Sequence, residues 1–267
     1  MEFFRLSLLG KQLSLFSKQP VPSREAWLRE IFSAPINFTH HKIQFHYVPD
    51  TEAGLDVIAG RLGRSRKSKE NDPPEAGFKE TERAAWKAMR ILIDPTHHPD
   101  GQKVIIERDA NVGKCFTALT ALIKAINRRQ DNPYEIIVEV ISEAADFWGF
   151  VAEHKTITSV TFEYVAPNMF GIHDDIDADV RDAKAVENSN KVQLRLENRE
   201  GLNVDTPRIR KSVEYTSRGT GKTKAVAKDR ARFNSEDHVK TEHLPDEDGE
   251  LSWNDLAKRV IRRIFDV

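Results

Sequence analysis

Two carboxylates and two imidazoles fall within seven residues of the sequence, in the string Asp-Pro-Thr-His-His-Pro-Asp at positions 94–100. Asp94, His97, His98 and Asp100 are residue types that bind a divalent metal ion or move protons. Their spacing is not that of a diagnostic ligand set, and Asp and Pro are also ordinary turn formers. The sequence therefore favours a structural turn, with a metal-dependent nuclease as the alternative.

The string from Thr216 to Thr223, Thr-Ser-Arg-Gly-Thr-Gly-Lys-Thr, is similar to a phosphate-binding loop. Thr216 occupies the place of the first glycine, and only 44 residues follow Thr223, too few for the remaining strands of that fold. We interpret Gly219 and Gly221 instead as turn residues of a hairpin, because glycine tolerates positive φ. No nucleotide or other cofactor is predicted.

Three shorter patterns favour structure over chemistry. The acids between Asp175 and Asp179 do not form a calcium loop, because Val180 and Val186 stand where glycine and glutamate are required; an acidic helix start at Asp174 and Asp175 is predicted. Alternation along a strand places His40 and His41 on opposite faces, with His41 on the apolar face as a core histidine. Glu153-His-Lys155 has nuclease-like spacing but falls at the end of a predicted helix.

The largest charge anomaly is a basic tract from Arg208 to Arg232, with nine basic and two acidic residues, a balance of +7. The basic residues are Arg208, Arg210, Lys211, Arg218, Lys222, Lys224, Lys228, Arg230 and Arg232. Such a tract can contact a phosphate backbone, with Tyr215 and Phe233 available to stack on bases. The alternative is that it neutralises the acidic segment 236–250, whose balance is −6.

Composition sets wider limits on the protein. The 267 residues suffice for a substantial core, and the net charge of −1 gives no general attraction to nucleic acid. No apolar run approaches the roughly 20 residues of a membrane span, and the amino terminus resembles a strand more than a secretory signal. Cys115 is the single cysteine, so no disulfide within the chain is possible and a cytoplasmic location is predicted.

The periodicity predicts a mixed α+β fold. Residues 1–105 form a β-rich region, with alternation at Ile43, Phe45 and Tyr47, one helix after Ser23, and a mobile basic loop at 60–74. Residues 106–267 alternate between strand and helix and continue through a basic hairpin to an amphipathic carboxy-terminal helix. One continuous domain is the alternative to this division. The carboxy-terminal helix carries Leu256, Val260, Ile264 and Phe265 on one face.

Several strings resemble an uncharacterised bacterial family found around prophages and defence loci: FTHHKIQFHYVPD, DPTHHPDGQK, TFEYVAPNMFG, EGLNVDT and EYTSRGTGK. The resemblance spans most of the chain but implies no catalytic residues. The order of elements is also similar to that of phage-exclusion proteins that bind DNA.

The leading hypothesis is a non-enzymatic phage-defence or phage-exclusion protein. It binds nucleic acid, or a nucleic-acid-handling protein, through the basic tract. No membrane partner is predicted, and homo-oligomerisation stays open. A metal-dependent nuclease and a protein-interaction module with an acidic loop are the alternatives.

Overall fold

The structure, a computed structural model, describes residues 1–11, 21–50, 57–96, 98, 101–130, 132–165 and 175–242. The strands are β1 (Glu2–Gly10), β2 (Ile36–His40), β3 (Ile43–Pro49), β4 (Ile58–Asn71), β5 (Glu80–Asp94), β6 (Gln102–Ile106), β7 (Tyr134–Val140), β8 (Ile157–Val165), β9 (Lys191–Glu197), β10 (Gly221–Ala227) and β11 (Arg232–Asn234). The helices are α1 (Arg24–Ile31), α2 (Cys115–Asn127), α3 (Ala144–His154), α4 (Asp175–Glu187) and α5 (Pro207–Tyr215). This arrangement confirms the predicted mixed α+β class. Among the described residues, no helix is long and apolar enough to cross a membrane.

The first sheet contains seven antiparallel strands in the order β2-β3-β4-β5-β6-β1-β7. On its core side, alternate residues such as Phe4, Leu6 and Leu8 pack against α1 and α2. Ser23 caps α1, accepting a hydrogen bond from the Ala26 amide at 3.1 Å, as the sequence predicts. The apolar stripe of α2 includes Leu119 and is buried in the same cluster.

The second sheet contains four strands in the order β11-β10-β8-β9. Its core side carries Val160, Phe162 and Ala225, which pack with α3 and α5 into a second hydrophobic cluster. Its opposite side, called here the outer face, carries the alternating polar residues. The predicted strands and helices between residues 134 and 227 are therefore confirmed in their order.

Segments from both ends of the described chain hold the two sheets together. The Lys240 amide donates to the Ile141 carbonyl at 2.7 Å, and the Phe3 amide donates to the Lys240 carbonyl at 3.2 Å. The Ser142 amide donates to the Ser217 carbonyl at 2.9 Å, in the π-helical turn Thr216–Thr220. The sheets are thus joined at β1 and β7 of the first sheet.

The predicted mobile loop at 60–74 is wrong, because residues 58–71 form β4 and pair with β5 along its whole length. The ladder satisfies the backbone groups of both strands, so polar side chains can extend on either side without a core beneath them.

The proposed core position of His41 is also wrong. His41 is exposed at the β2–β3 turn with φ of 46°, and its ring centroid lies 4.2 Å from that of His40.

Gly219 and Gly221 are turn residues with φ of 80° and 150°, but they connect α5 to β10. The hairpin that joins β10 and β11 turns instead at residues 228–231. The predicted carboxy-terminal helix, the greater part of the acidic segment and Asp174 lie outside the described residues.

Gly221 provides a direct test of the close approach between β10 and β8. A Cβ atom at this position would overlap the Glu163 carbonyl oxygen, so we expect Gly221→Ala to lower the free energy of unfolding by about 3 kcal/mol or more. Urea titration measures this difference. Gly149→Ala is the control because a Cβ there meets nothing within 4 Å in α3, and about 0.5–1 kcal/mol of stabilisation is expected. Equal stability of both variants would contradict the packing described at Gly221.

Candidate nucleic-acid interface

The basic tract spans one helix, two strands and the turns between them, which do not share one surface. Ile209 and Val213 bury α5 against the core side of the second sheet, so its exposed Arg208, Arg210 and Lys211 lie on that side. The other basic residues lie in the following turn, on β10, in the hairpin turn or on β11: Arg218, Lys222, Lys224, Lys228, Arg230 and Arg232.

Several members of the tract have carboxylate partners. Arg210 lies 2.6 Å from Asp205 and stacks over the Trp148 ring at 5.0 Å. The corresponding distances are 2.5 Å for Arg218 and Glu214, and 3.4 Å for Lys228 and Glu200. These pairs are exposed and contribute little to stability. Because their carboxylates lie outside residues 236–250, the tract is partly neutralised by residues other than the acidic segment.

The outer face of the second sheet brings together two members of the tract and one residue from outside it. Lys224 lies opposite Thr161, and Thr161 lies opposite Arg195, so these three form one row across β10, β8 and β9. Arg232, opposite Val226, extends the same face onto β11. Lys224, Arg195 and Arg232 are exposed. We call these three residues the basic face.

Arg195 was not predicted as a site residue, because its relation to Lys224 depends on two strand registers. The alternation in β9 gave a signal, since Lys191, Gln193, Arg195 and Glu197 all occupy the exposed side. Arg195 also contacts Glu197 at 2.9 Å.

Lys222 belongs to a charged cluster between the sheets and is half-buried. Its Nζ lies 3.5 Å from both Glu163 and Glu236, and Lys191 Nζ lies 2.8 Å from Glu163 and 4.0 Å from Glu139. Burial lowers the pKa of Lys222, but the three carboxylates raise it and the balance is upward. Lys222 therefore has a structural role in this cluster, and Lys224 is the β10 residue that faces solvent.

Glu139 is the most buried acid of the cluster, with 4% of its surface exposed. Desolvation raises its pKa to about 7, although Lys191 and Lys222 oppose the shift. Glu139 also lies opposite Arg5 on β1, which is 1% exposed. No local pattern marked Glu139 as a candidate residue, because its partners come from β8, β9, β10 and the turn after β11.

A row of buried charged residues crosses four neighbouring strands of the first sheet. Asp94 lies opposite Lys103, Lys103 opposite Arg5, and Arg5 opposite Glu139, all on the side of the sheet away from Phe4 and Leu6. The turn Thr216–Thr220 closes over Arg5 at Gly219, where a Cβ atom would come within 2.9 Å of Arg5 Cβ. Arg5 and Glu139 of this row thus lie within the contact between the sheets.

Asp94 has the hydrogen bonds of a structural turn. Its Oδ1 accepts from the Thr96 amide at 3.0 Å and from the Thr96 hydroxyl at 2.6 Å, and its Oδ2 lies 2.7 Å from His98 Nε2. Burial raises the pKa of Asp94, but the bonds from His98 and Thr96 lower it and prevail. His97 and Asp100 lie outside the described residues, among which no group of three or more His, Cys, Asp or Glu could hold a metal ion.

The other patterns also have structural explanations. The Thr216 and Thr223 hydroxyls lie 2.6 Å apart and are buried, so the phosphate-loop-like string is closed on itself. His154 Nδ1 lies 2.7 Å from Asp229 Oδ2 and connects the end of α3 to the hairpin turn.

The predicted stacking role of two aromatic residues is wrong. Tyr215 is 8% exposed and packs edge-on against Tyr164, with ring centroids 5.7 Å apart. Phe233 is 4% exposed and lies 5.6 Å from both Phe147 and Phe150. Both rings are used in the second hydrophobic cluster, so neither offers a free face to a base.

Comparisons with protein-family models, with curated proteins and with solved structures gave no match to this chain.

The raised pKa of Glu139 predicts a pH dependence of stability. A carboxyl with a folded-state pKa near 7 and an ordinary value of 4.5 binds its proton more tightly when folded, so its stabilisation is full below pH 4.5 and is lost as the pH rises through 7. We expect Glu139→Gln, which stays neutral, to gain stability relative to the original protein over this range. Urea titrations across the range measure the difference.

The exposed Glu75, at the tip of the β4–β5 hairpin, supplies the control variant Glu75→Gln. A Glu139→Gln difference that does not change with pH would contradict the assigned environment of Glu139.

Proposed function

We propose that the protein binds nucleic acid through the basic face, with Lys224, Arg195 and Arg232 contacting phosphates. The observation that carries the proposal is the exposure of three basic residues on one side of the second sheet. Among the described residues, neither Lys224 nor Arg232 has a carboxylate within ion-pair distance. Phosphate groups would provide the missing counter-charge.

The spacing of the basic face suits a chain of phosphates. Arg195 and Lys224 lie two strand spacings apart, about 10 Å between Cα atoms, and long side chains extend their reach. Polar residues lie between and beside them, including Thr161, Ser159 and Asn234. Hydroxyl and amide groups of this kind contribute further hydrogen bonds to phosphate oxygens.

The neutralising role of the tract has limited support. Lys222 of the tract pairs with Glu236 at the start of the acidic segment, whereas Arg210, Arg218 and Lys228 pair with carboxylates outside that segment. The basic residues on the outer face therefore favour an external polyanion over an internal partner.

The cellular role that we propose is non-enzymatic exclusion of phage in the bacterial cytoplasm. It is supported by the family resemblance of strings such as EYTSRGTGK and depends on the binding proposed here. Phage plating on cells with and without the gene provides its test, and equal plaque counts across a panel of phages would contradict it.

Neutralising the basic face should weaken binding and reduce its salt dependence. We expect Lys224→Gln with Arg232→Gln to lower duplex affinity at low salt by about tenfold or more and to reduce the slope of log K against log salt by about 2, since each lost phosphate contact removes about 0.9. Fluorescence anisotropy across a salt series measures both, and circular dichroism checks folding.

The matched control is Arg208→Gln with Lys211→Gln, which removes the same charge from α5 on the other side of the second sheet. An equal loss in the control would assign the effect to net charge, and unchanged binding by Lys224→Gln with Arg232→Gln would reject the basic face.

A further inference from the structure

A large aromatic ring on the first sheet is exposed to solvent. Trp86, on β5, is 64% exposed, whereas Trp27 is 3% exposed in the core. Trp86 lies opposite Ser65 and on the side of the sheet away from Leu62 and Met89, which are buried. Exposing a side chain of this size has a free-energy cost, so a large exposed aromatic ring is a candidate contact for a partner.

The residues around Trp86 leave the ring accessible. The His46 ring lies 5.0 Å from the Trp86 ring at an interplanar angle of 76°, and His46 Nδ1 lies 2.7 Å from Asn37 Oδ1, which fixes the imidazole. Gly63, opposite both His46 and Ala88, carries no side chain that could cover them. Small neighbouring residues thus leave the adjacent Trp86 and His46 rings uncovered on this side of the sheet.

The β4–β5 hairpin that carries Trp86 is strongly basic in the half that lies next to β3. Residues 61–67 and the facing residues 84–90 contain six Lys or Arg and no Asp or Glu, and three of the six, Arg61, Lys67 and Arg90, lie on the side of Trp86. The acids of this hairpin are at its tip, between Glu70 and Glu82. Arg61 lies opposite Arg90 on the side of the sheet that carries Trp86, whereas Arg64 lies opposite Lys87 on the other side.

Like charges directly opposite each other on neighbouring strands destabilise a sheet. Arg90 lies 3.8 Å from Glu107, and Arg64 bonds the Asn111 carbonyl, but among the described residues no carboxylate pairs with Arg61. Folding alone therefore does not account for Arg61 opposite Arg90 on the side of Trp86, whereas an anionic partner on that side would stabilise this pair.

We propose that this surface, the Trp86 platform, binds single-stranded nucleic acid, with a base stacked on Trp86 and the adjoining phosphates contacted by Arg61 and Arg90. The Arg61–Arg90 row lies four residues along the strands from Trp86, about 13 Å, which places phosphate contacts beside the stacked base. Bases in a duplex already stack on each other, so an exposed ring face selects an unpaired strand.

A second copy of this chain is a poorer partner for the platform. A two-fold symmetric contact would place the platform against itself and bring Arg61 and Arg90 towards the same residues of the other copy. Charge complementarity thus favours a polyanion over self-association.

The test uses the full chain and labelled oligothymidine and oligouridine of about fifteen nucleotides, with a duplex of the same length. We expect Trp86→Ala to weaken single-strand binding by about 5- to 100-fold and to leave duplex binding unchanged, because one stacked base is lost. Trp86→Phe should retain most of the affinity. Val48→Ala, which removes a 51% exposed aliphatic side chain from the same side of β3, should have little effect.

The outcomes separate this proposal from the basic face. Unchanged single-strand affinity in Trp86→Ala, or equal losses in the Phe and Ala variants, would overturn the platform and leave duplex binding by the basic face intact. A dimer in the original protein that Trp86→Ala dissociates would overturn it in favour of self-association. Loss of single-strand binding in Trp86→Ala, with duplex binding still sensitive to Lys224 and Arg232, supports both surfaces.

The thermal midpoint of Trp86→Ala should match that of the original protein, because the ring is exposed.

Discussion

The fold depends on the pairing of charges around Glu139, which is buried where the two sheets meet. Glu139, on the first sheet, faces Lys191 and Lys222 of the second sheet, while Glu163 and Glu236 complete the charge balance. Charges that are withdrawn from water need counter-charges close by, and here these come from both sheets. The two sheets must therefore meet in one arrangement, and the turn Thr216–Thr220 needs glycine at 219 to close over Arg5.

This constraint divides the basic residues into two groups. Arg5 is buried and Lys222 is half-buried, and both serve the contact between the sheets. Some of the exposed basic residues lie together on two sheet surfaces, the basic face and the Trp86 platform, and others lie on α5 and in turns. A net charge of −1 conceals this division, because the acids that balance the exposed bases lie elsewhere on the molecule, for example at the tip of the β4–β5 hairpin. Local charge is therefore a better guide to a binding partner than total charge.

Elements with a regular apolar pattern could be predicted from the sequence. The alternation in β3 and the stripe in α2 identified both elements, because burial on one side leaves a periodic signal. β4 gave no such signal, since its outer half buries neither side and its stability comes from pairing with β5. The charged cluster was also hidden, because it joins residues from positions 139 to 236 through registers that no local pattern specifies. Tyr215 and Phe233 were assigned to a surface by their basic neighbours, although their own hydrophobicity placed them in the core.

The central claim is that exposed sheet surfaces, and not helix α5, contact nucleic acid. Photocrosslinking of a thiouridine-substituted oligonucleotide to the full protein, followed by mass spectrometry of the linked peptides, tests this claim most directly. The account predicts linked peptides from β4 and β5 around Trp86 and from β10 and β11 around Lys224, with crosslinking that declines as salt rises. Crosslinks confined to α5, or no crosslink at low salt, would contradict it.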